Sequence, residues 1–91
     1  MDRDEAKKLL TEELKLLAAR RYDELAALIK HDDVKTLKGP SGTTYQVESS
    51  IFWDAKPNGN LRIVASIDDG GWRAFVPLTN SLIMKPDGTL R

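Results

Sequence analysis

The sequence predicts an α+β fold: an N-terminal amphipathic helix, kinked or split near Tyr22, packed on an antiparallel meander of three to five strands. Three observations carry this. Apolar residues recur at helical spacing up to Lys30, the pattern changes to alternation after Thr44, and turn signals at Pro57-Asn58-Gly59 and Asp69-Gly70 set strand pairing. The 91 residues make one domain, with residues 1–35 as a helical layer and 43–91 as an antiparallel sheet.

From Asp4 to about Lys30, Ala6, Leu10, Leu14, Leu17, Ala18, Tyr22, Leu25, Ala26 and Ile29 return every three or four residues, with charged residues between them. That stripe is the face expected against the sheet. Asp23 is a candidate cap for a second start, which places the kink or split in Ala-Arg-Arg-Tyr-Asp. Lys38-Gly39-Pro40-Ser41-Gly42 is a breaker cluster between the helical third and the sheet.

Strands are expected from about Thr44 to Ala55, Leu61 to Asp68, Trp72 to Leu78 and Leu82 to Lys85, with a short return at Thr89 to Arg91 after Pro86-Asp87-Gly88. Pro57, Asn58 and Gly59 suit a three-residue loop with Gly59 in the left-handed region, which pairs Lys56 with Asn60. Trp53 then faces Ile63, Ile51 faces Ala65 and Ser49 faces Ile67. Asp69-Gly70 reads as a two-residue turn that sets Ile67 opposite Trp72, Ala65 opposite Ala74 and Ile63 opposite Val76. Pro77 lacks an amide proton, so it belongs at an edge, a bulge or a strand end. The outer face keeps one apolar row across three strands, Phe52, Val64 and Phe75.

Charge and composition exclude several function classes. The 14 basic and 14 acidic residues cancel, overall and within each half, so no basic stripe awaits a nucleic acid. There is no run of about 18 apolar residues, and the N-terminus is charged from Asp2 onward, so neither a membrane span nor a signal peptide is expected. The absence of cysteine removes disulfides and thiolate zinc sites, and the expected location is cytoplasmic. A chain this short buries only roughly 60% of its unfolded surface, which makes association with a partner a source of stability.

Ala18-Ala19-Arg20-Arg21-Tyr22-Asp23-Glu24-Leu25-Ala26-Ala27-Leu28-Ile29, followed by Asp32-Asp33-Val34, resembles the helical opening of the nuclear transport factor 2 like superfamily, which includes polyketide cyclases and ketosteroid isomerases. The resemblance covers residues 18–34. It implies a cystatin-like α+β cone in which a long and a short helix cover one side of a curved sheet, a pocket for small apolar molecules, and dimerisation through the sheet in many members. This chain has Thr36 to Thr43 where members place a further strand and a third helix, which implies an open cone. No position matches a catalytic acid or base of that superfamily.

Chemistry-bearing residues are few. His31, the single histidine, follows the helix and is expected to be a surface residue at its end. Asp32-Asp33 and Asp68-Asp69 lack the alternating oxygen ligands of a calcium loop, so no metal and no cofactor is expected. The expected register sets Glu48 against Asp68, a repulsive pair, with Arg73 diagonal to it. No phosphate loop, nucleophile elbow or catalytic residue is recognisable.

The leading expectation is therefore a non-enzymatic interaction module that forms a homodimer through its outer sheet face, with Phe52, Val64 and Phe75 at the interface and Arg62 and Arg73 at its edges. The alternative is a binder of a small apolar ligand, or an enzyme of the isomerase or cyclase kind, with a pocket between helix and sheet lined by Tyr22, Tyr45, Trp53 and Trp72.

Overall fold

The computed structural model describes residues 2–70 and 77–91. It is an α+β fold of two layers. Helix α1 (Arg3–Ala18) and the short α2 (Tyr22–Ala26) lie on one side of a four-stranded antiparallel sheet. The sheet is a meander in the order β1 (Asp33–Lys38), β2 (Thr44–Trp53), β3 (Leu61–Asp68) and β4 (Leu78–Met84).

α1 starts where Asp2 accepts a hydrogen bond from the Glu5 amide at 3.1 Å, and Asp4 and Glu5 then occupy the first turn, where the helix dipole favours negative charge. It ends at Ala18, and the chain turns extended at Arg21 before α2 begins. The split expected near Tyr22 is present. Asp23 does not cap the new helix; it sits in the first turn, 3.1 Å from the Arg21 guanidinium. Leu10, Leu14, Leu17 and Leu25 are buried, while Tyr22 and Ile29 pack against the core as partly buried residues.

The sheet starts earlier than the alternation in the sequence places it. Residues 33–38 form β1, and the breaker cluster is the turn of a β1–β2 hairpin, closed by the Gly39 amide on the Thr43 carbonyl at 2.8 Å. β1 carries no buried residue, so it needs no apolar alternation, and the periodicity that marks the other strands is missing from it.

Both hairpin registers differ from expectation. β2 and β3 pair Trp53 with Leu61, Ile51 with Ile63, Ser49 with Ala65 and Val47 with Ile67, two residues from the expected alignment. The loop is longer than three residues, with the Asp54 amide on the Asn60 carbonyl at 2.8 Å, and Asn58 rather than Gly59 has the positive φ, at 64°. Asparagine tolerates that region through local hydrogen bonding. A slip of two preserves the faces, so Val47, Ile51, Ile63, Ala65 and Ile67 all remain buried beneath the helices.

β3 pairs on its other side with Leu78–Met84: Ile67 with Leu78, Ala65 with Asn80, Ile63 with Leu82 and Leu61 with Met84. This overturns the pairing of Ile67 with Trp72, Ala65 with Ala74 and Ile63 with Val76. Gly70 does take the positive φ of its turn, at 77°, and its amide bonds the Asp68 carboxylate at 2.8 Å, but that local turn does not close a two-residue hairpin. Segments 72–78 and 78–84 both alternate, and the second brings Leu78, Leu82 and Met84 onto the inner side. Trp72, Arg73, Ala74, Phe75 and Val76 lie outside the described residues. Pro77 immediately precedes β4, the strand end that its missing donor requires. The fourth strand is longer than the Leu82 to Lys85 expected, and the Pro86-Asp87-Gly88 turn forms with its short return, Leu90 bridging to Met84 and Gly88 at φ 88°.

Candidate functional site

The outer face of the sheet is the first candidate. Phe52 lies opposite Arg62, and Val64 lies between Ser50 and Ser81, so the expected Phe52–Val64 pair becomes a diagonal across two rows. Ile83 sits on the far side of Arg62. Phe52 is 50% exposed, and Val64 and Ile83 are half-buried. Arg62 is held by Asp54, with Nη2 donating to Oδ1 at 2.7 Å. Glu48 lies opposite Ser66, and Asp68 opposite Gln46, so the repulsive pair does not form. Arg73 and Phe75, expected on this face, lie outside the described residues.

Of the aromatic residues expected to share a pocket, Tyr22 and Trp53 lie at one end of the helical layer and Tyr45 at the other, while Trp72 lies outside the described residues. Tyr22 and Trp53 meet, with ring centroids 6.5 Å apart, and the Tyr22 hydroxyl donates to the Gly59 carbonyl at 2.6 Å. Tyr45 is fully buried beside the start of α1 and donates its hydroxyl to the Glu5 carboxylate at 2.8 Å. Glu5 also accepts from the Ser41 hydroxyl at 2.7 Å and the Ser41 amide at 3.0 Å. These bonds hold the Glu5 carboxyl below its usual range, Ser41 contributing most, while burial followed by the Glu5 hydrogen bond pushes the Tyr45 phenol up to about 12. The three residues tie the β1–β2 hairpin to the helix.

A pocket of about 270 Å³ lies elsewhere, between α1, the turn after α2 and the inner sides of β1 and β2. Its floor holds Glu13, only 5% exposed, whose carboxylate meets the Lys35 ammonium at 2.7 Å. Ser49 (8% exposed) and Asp33 join them, Leu17 and Ile51 form apolar walls, and Arg20 and His31 stand at the rim. Sequence reasoning missed Glu13, Lys35 and Ser49. The signal was legible for Glu13: it falls in the stripe Ala6, Leu10, Glu13, Leu17, where an apolar residue is due. Ser49 likewise stands in an alternating series with Val47 and Ile51.

Among the described residues there is no group of three or more metal-ligating side chains, and no helix is long and apolar enough to cross a membrane. Comparison of the chain with family models, with curated proteins and with solved structures finds no match.

Proposed function

We propose that the protein is a non-enzymatic interaction module that pairs with a second copy of itself through the outer face of its sheet. One observation carries the reading: both helices pack on the inner side, and among the described residues no element lies over the outer face, where Phe52 is half-exposed beside Val64 and Ile83. Burying such side chains contributes about 1.5 to 3 kcal/mol each, a large gain for a domain of this length.

The chemistry of the face suits self-pairing. Its middle, Ser50, Val64, Ser66 and Ser81, is small and uncharged, so two sheets can approach closely there. Arg62 and Asp54 at one end neutralise each other within the chain, and in a two-fold pair they would exchange partners across the axis. The sheet-mediated pairing implied by the resemblance of residues 18–34 agrees with this.

Sedimentation equilibrium tests the proposal. The native chain is expected at twice its 10.2 kDa, and a Phe52→Glu, Val64→Lys double variant at the monomer mass with an unchanged circular dichroism spectrum. A native chain that remains monomeric at about 1 mM, where even weak specific pairs assemble, overturns it.

A further inference from the structure

The inward positions of the two layers are those where a small domain places apolar side chains. On α1 the buried stripe is Ala6, Leu10, Leu14 and Leu17, interrupted by Glu13. On the strands the inward series are Asp33, Lys35, Leu37 on β1, Tyr45, Val47, Ser49, Ile51, Trp53 on β2, Leu61, Ile63, Ala65, Ile67 on β3 and Leu78, Asn80, Leu82, Met84 on β4. Five of these positions are polar on the strands and helix together: Glu13, Asp33, Lys35, Ser49 and Asn80. Asn80 is exposed and lines a separate hollow beside α1 with Lys7 and Leu10, whereas the other four share one pocket, with Glu13 and Ser49 buried, Lys35 half-buried and Asp33 exposed. Two buried polar residues that break the burial pattern on separate elements, Glu13 on α1 and Ser49 on β2, and that meet Lys35 of the edge strand around a cavity with apolar walls, are what a built binding site looks like.

The charges decide what fits. Glu13 and Lys35 form a pair with the carboxylate almost wholly removed from water. A ligand bearing only an anion must draw Lys35 away and strand Glu13 as an unpaired buried charge. A ligand bearing only a cation releases Lys35, whose side chain is 39% exposed, to water. The first is costly, because it leaves Glu13 an uncompensated buried ion, whereas the second forgoes a pair that Lys35 can make. A ligand with both charges separates the pair and gives each member a new partner, so the number of ion pairs rises while none is left open.

We propose that this pocket binds a small free α-amino acid as its zwitterion, its ammonium on Glu13 and its carboxylate on Lys35. Asp33 lines the same pocket, Arg20 is a second cation for the carboxylate, and Ser49 supplies a hydroxyl. Leu17 and Ile51 receive the ligand's side chain. The volume of about 270 Å³ is near the small end of ligand sites, roughly 300 Å³, and restricts the ligand to this size class. The site lies on the helical side of the sheet, so it does not depend on pairing through the outer face.

Calorimetric titration of the native chain with the free amino acids, with their N-acetyl derivatives and with their amides tests the assignment without any substitution. At least one free amino acid is expected to bind with millimolar or better affinity, its N-acetyl form about thirtyfold or more weaker, the ratio that follows from removing the partner of the desolvated Glu13, and its amide about threefold or more weaker, as the half-exposed Lys35 allows. Glu13→Gln and Lys35→Gln, checked for folding by circular dichroism, are expected to weaken binding to the degree of the N-acetyl and the amide block respectively. No heat with any amino acid at about 10 mM, or a blocked derivative that binds as well as its parent, overturns the proposal.

Discussion

The Tyr45 hydroxyl donates to the Glu5 carboxylate at 2.8 Å, joining the first turn of α1 to the start of β2 across forty positions of sequence. The bond sets opposite pH limits on the two groups. Glu5 has its folded pKa lowered from an ordinary 4.5, so its contribution is complete above that value and is lost as pH falls through the lowered one. Tyr45 has its folded pKa raised from 10.0 to about 12, so its contribution is complete below 10 and disappears as pH rises towards about 12. Urea midpoints measured across pH are expected to fall at both limits. Glu5→Gln should flatten the acid limb in part, since Asp87, lowered by its bonds to Thr89, also contributes there. Tyr45→Phe should remove the alkaline decline.

Gly39 stands against this same contact. A Cβ at that position would fall on the Glu5 carboxylate and lie 3.1 Å from the Tyr45 ring. Gly39→Ala is therefore expected to displace Glu5 and forfeit its bonds to Ser41 and Tyr45. In a double-mutant cycle, Gly39→Ala added to Glu5→Ala should cost much less than Gly39→Ala alone. Additive costs from thermal unfolding would place the strain elsewhere.

Leu25 is the one fully buried residue of α2. A five-residue helix has almost no stability of its own, so packing through this side chain decides whether it forms. Leu25→Ala and Leu14→Ala should each cost about 2 to 4 kcal/mol in denaturant unfolding. Leu16→Ala, at an exposed position on α1, should cost less than about 0.5 kcal/mol.

The β2–β3 register is testable by engineered disulfides, because the chain has no cysteine to interfere. Ser50 and Val64 are direct partners, and Phe52 and Val64 are not. Directly opposed residues lie within the Cα separation that a disulfide requires, about 4.4 to 6.8 Å, and the diagonal pair lies beyond it. The Ser50→Cys, Val64→Cys variant should lose both free thiols on mild oxidation. Phe52→Cys, Val64→Cys should keep them.

What the sequence disclosed was the side of the sheet each residue occupies, and less of where along its neighbour it sits. Ile51, Ile63 and Ile67 are buried as their alternation requires, although none has the partner that the turns suggested. Period-two alternation is blind to a slip of two, so the alignment rested on turn residues, and Asn58 took the left-handed position that Gly59 was equally suited to take. β1 escaped notice because Val34 and Leu37 fall on opposite faces of an edge strand, where Leu37 alone packs against the core and is only half-buried. The pocket was half-legible: Glu13 interrupts a helical stripe and Ser49 an alternating strand visibly, but that Lys35 lies beside them depends on β1, the strand the pattern did not mark.

α1 lies over β3 and β4 through apolar contacts, and such contacts resist separation far more than sliding or rolling. The helix also reaches the first hairpin through two carboxylates, Glu5 to Ser41 and Tyr45 and Glu13 to Lys35. Eight residues of helix set them about 12 Å apart along its axis. One such tie would leave a rod free to swivel about it. Two ties fix both its heading and its roll, so the orientation of the helix on the sheet is set by a pair of acids at its margin, while the oily interior beneath supplies adhesion without direction.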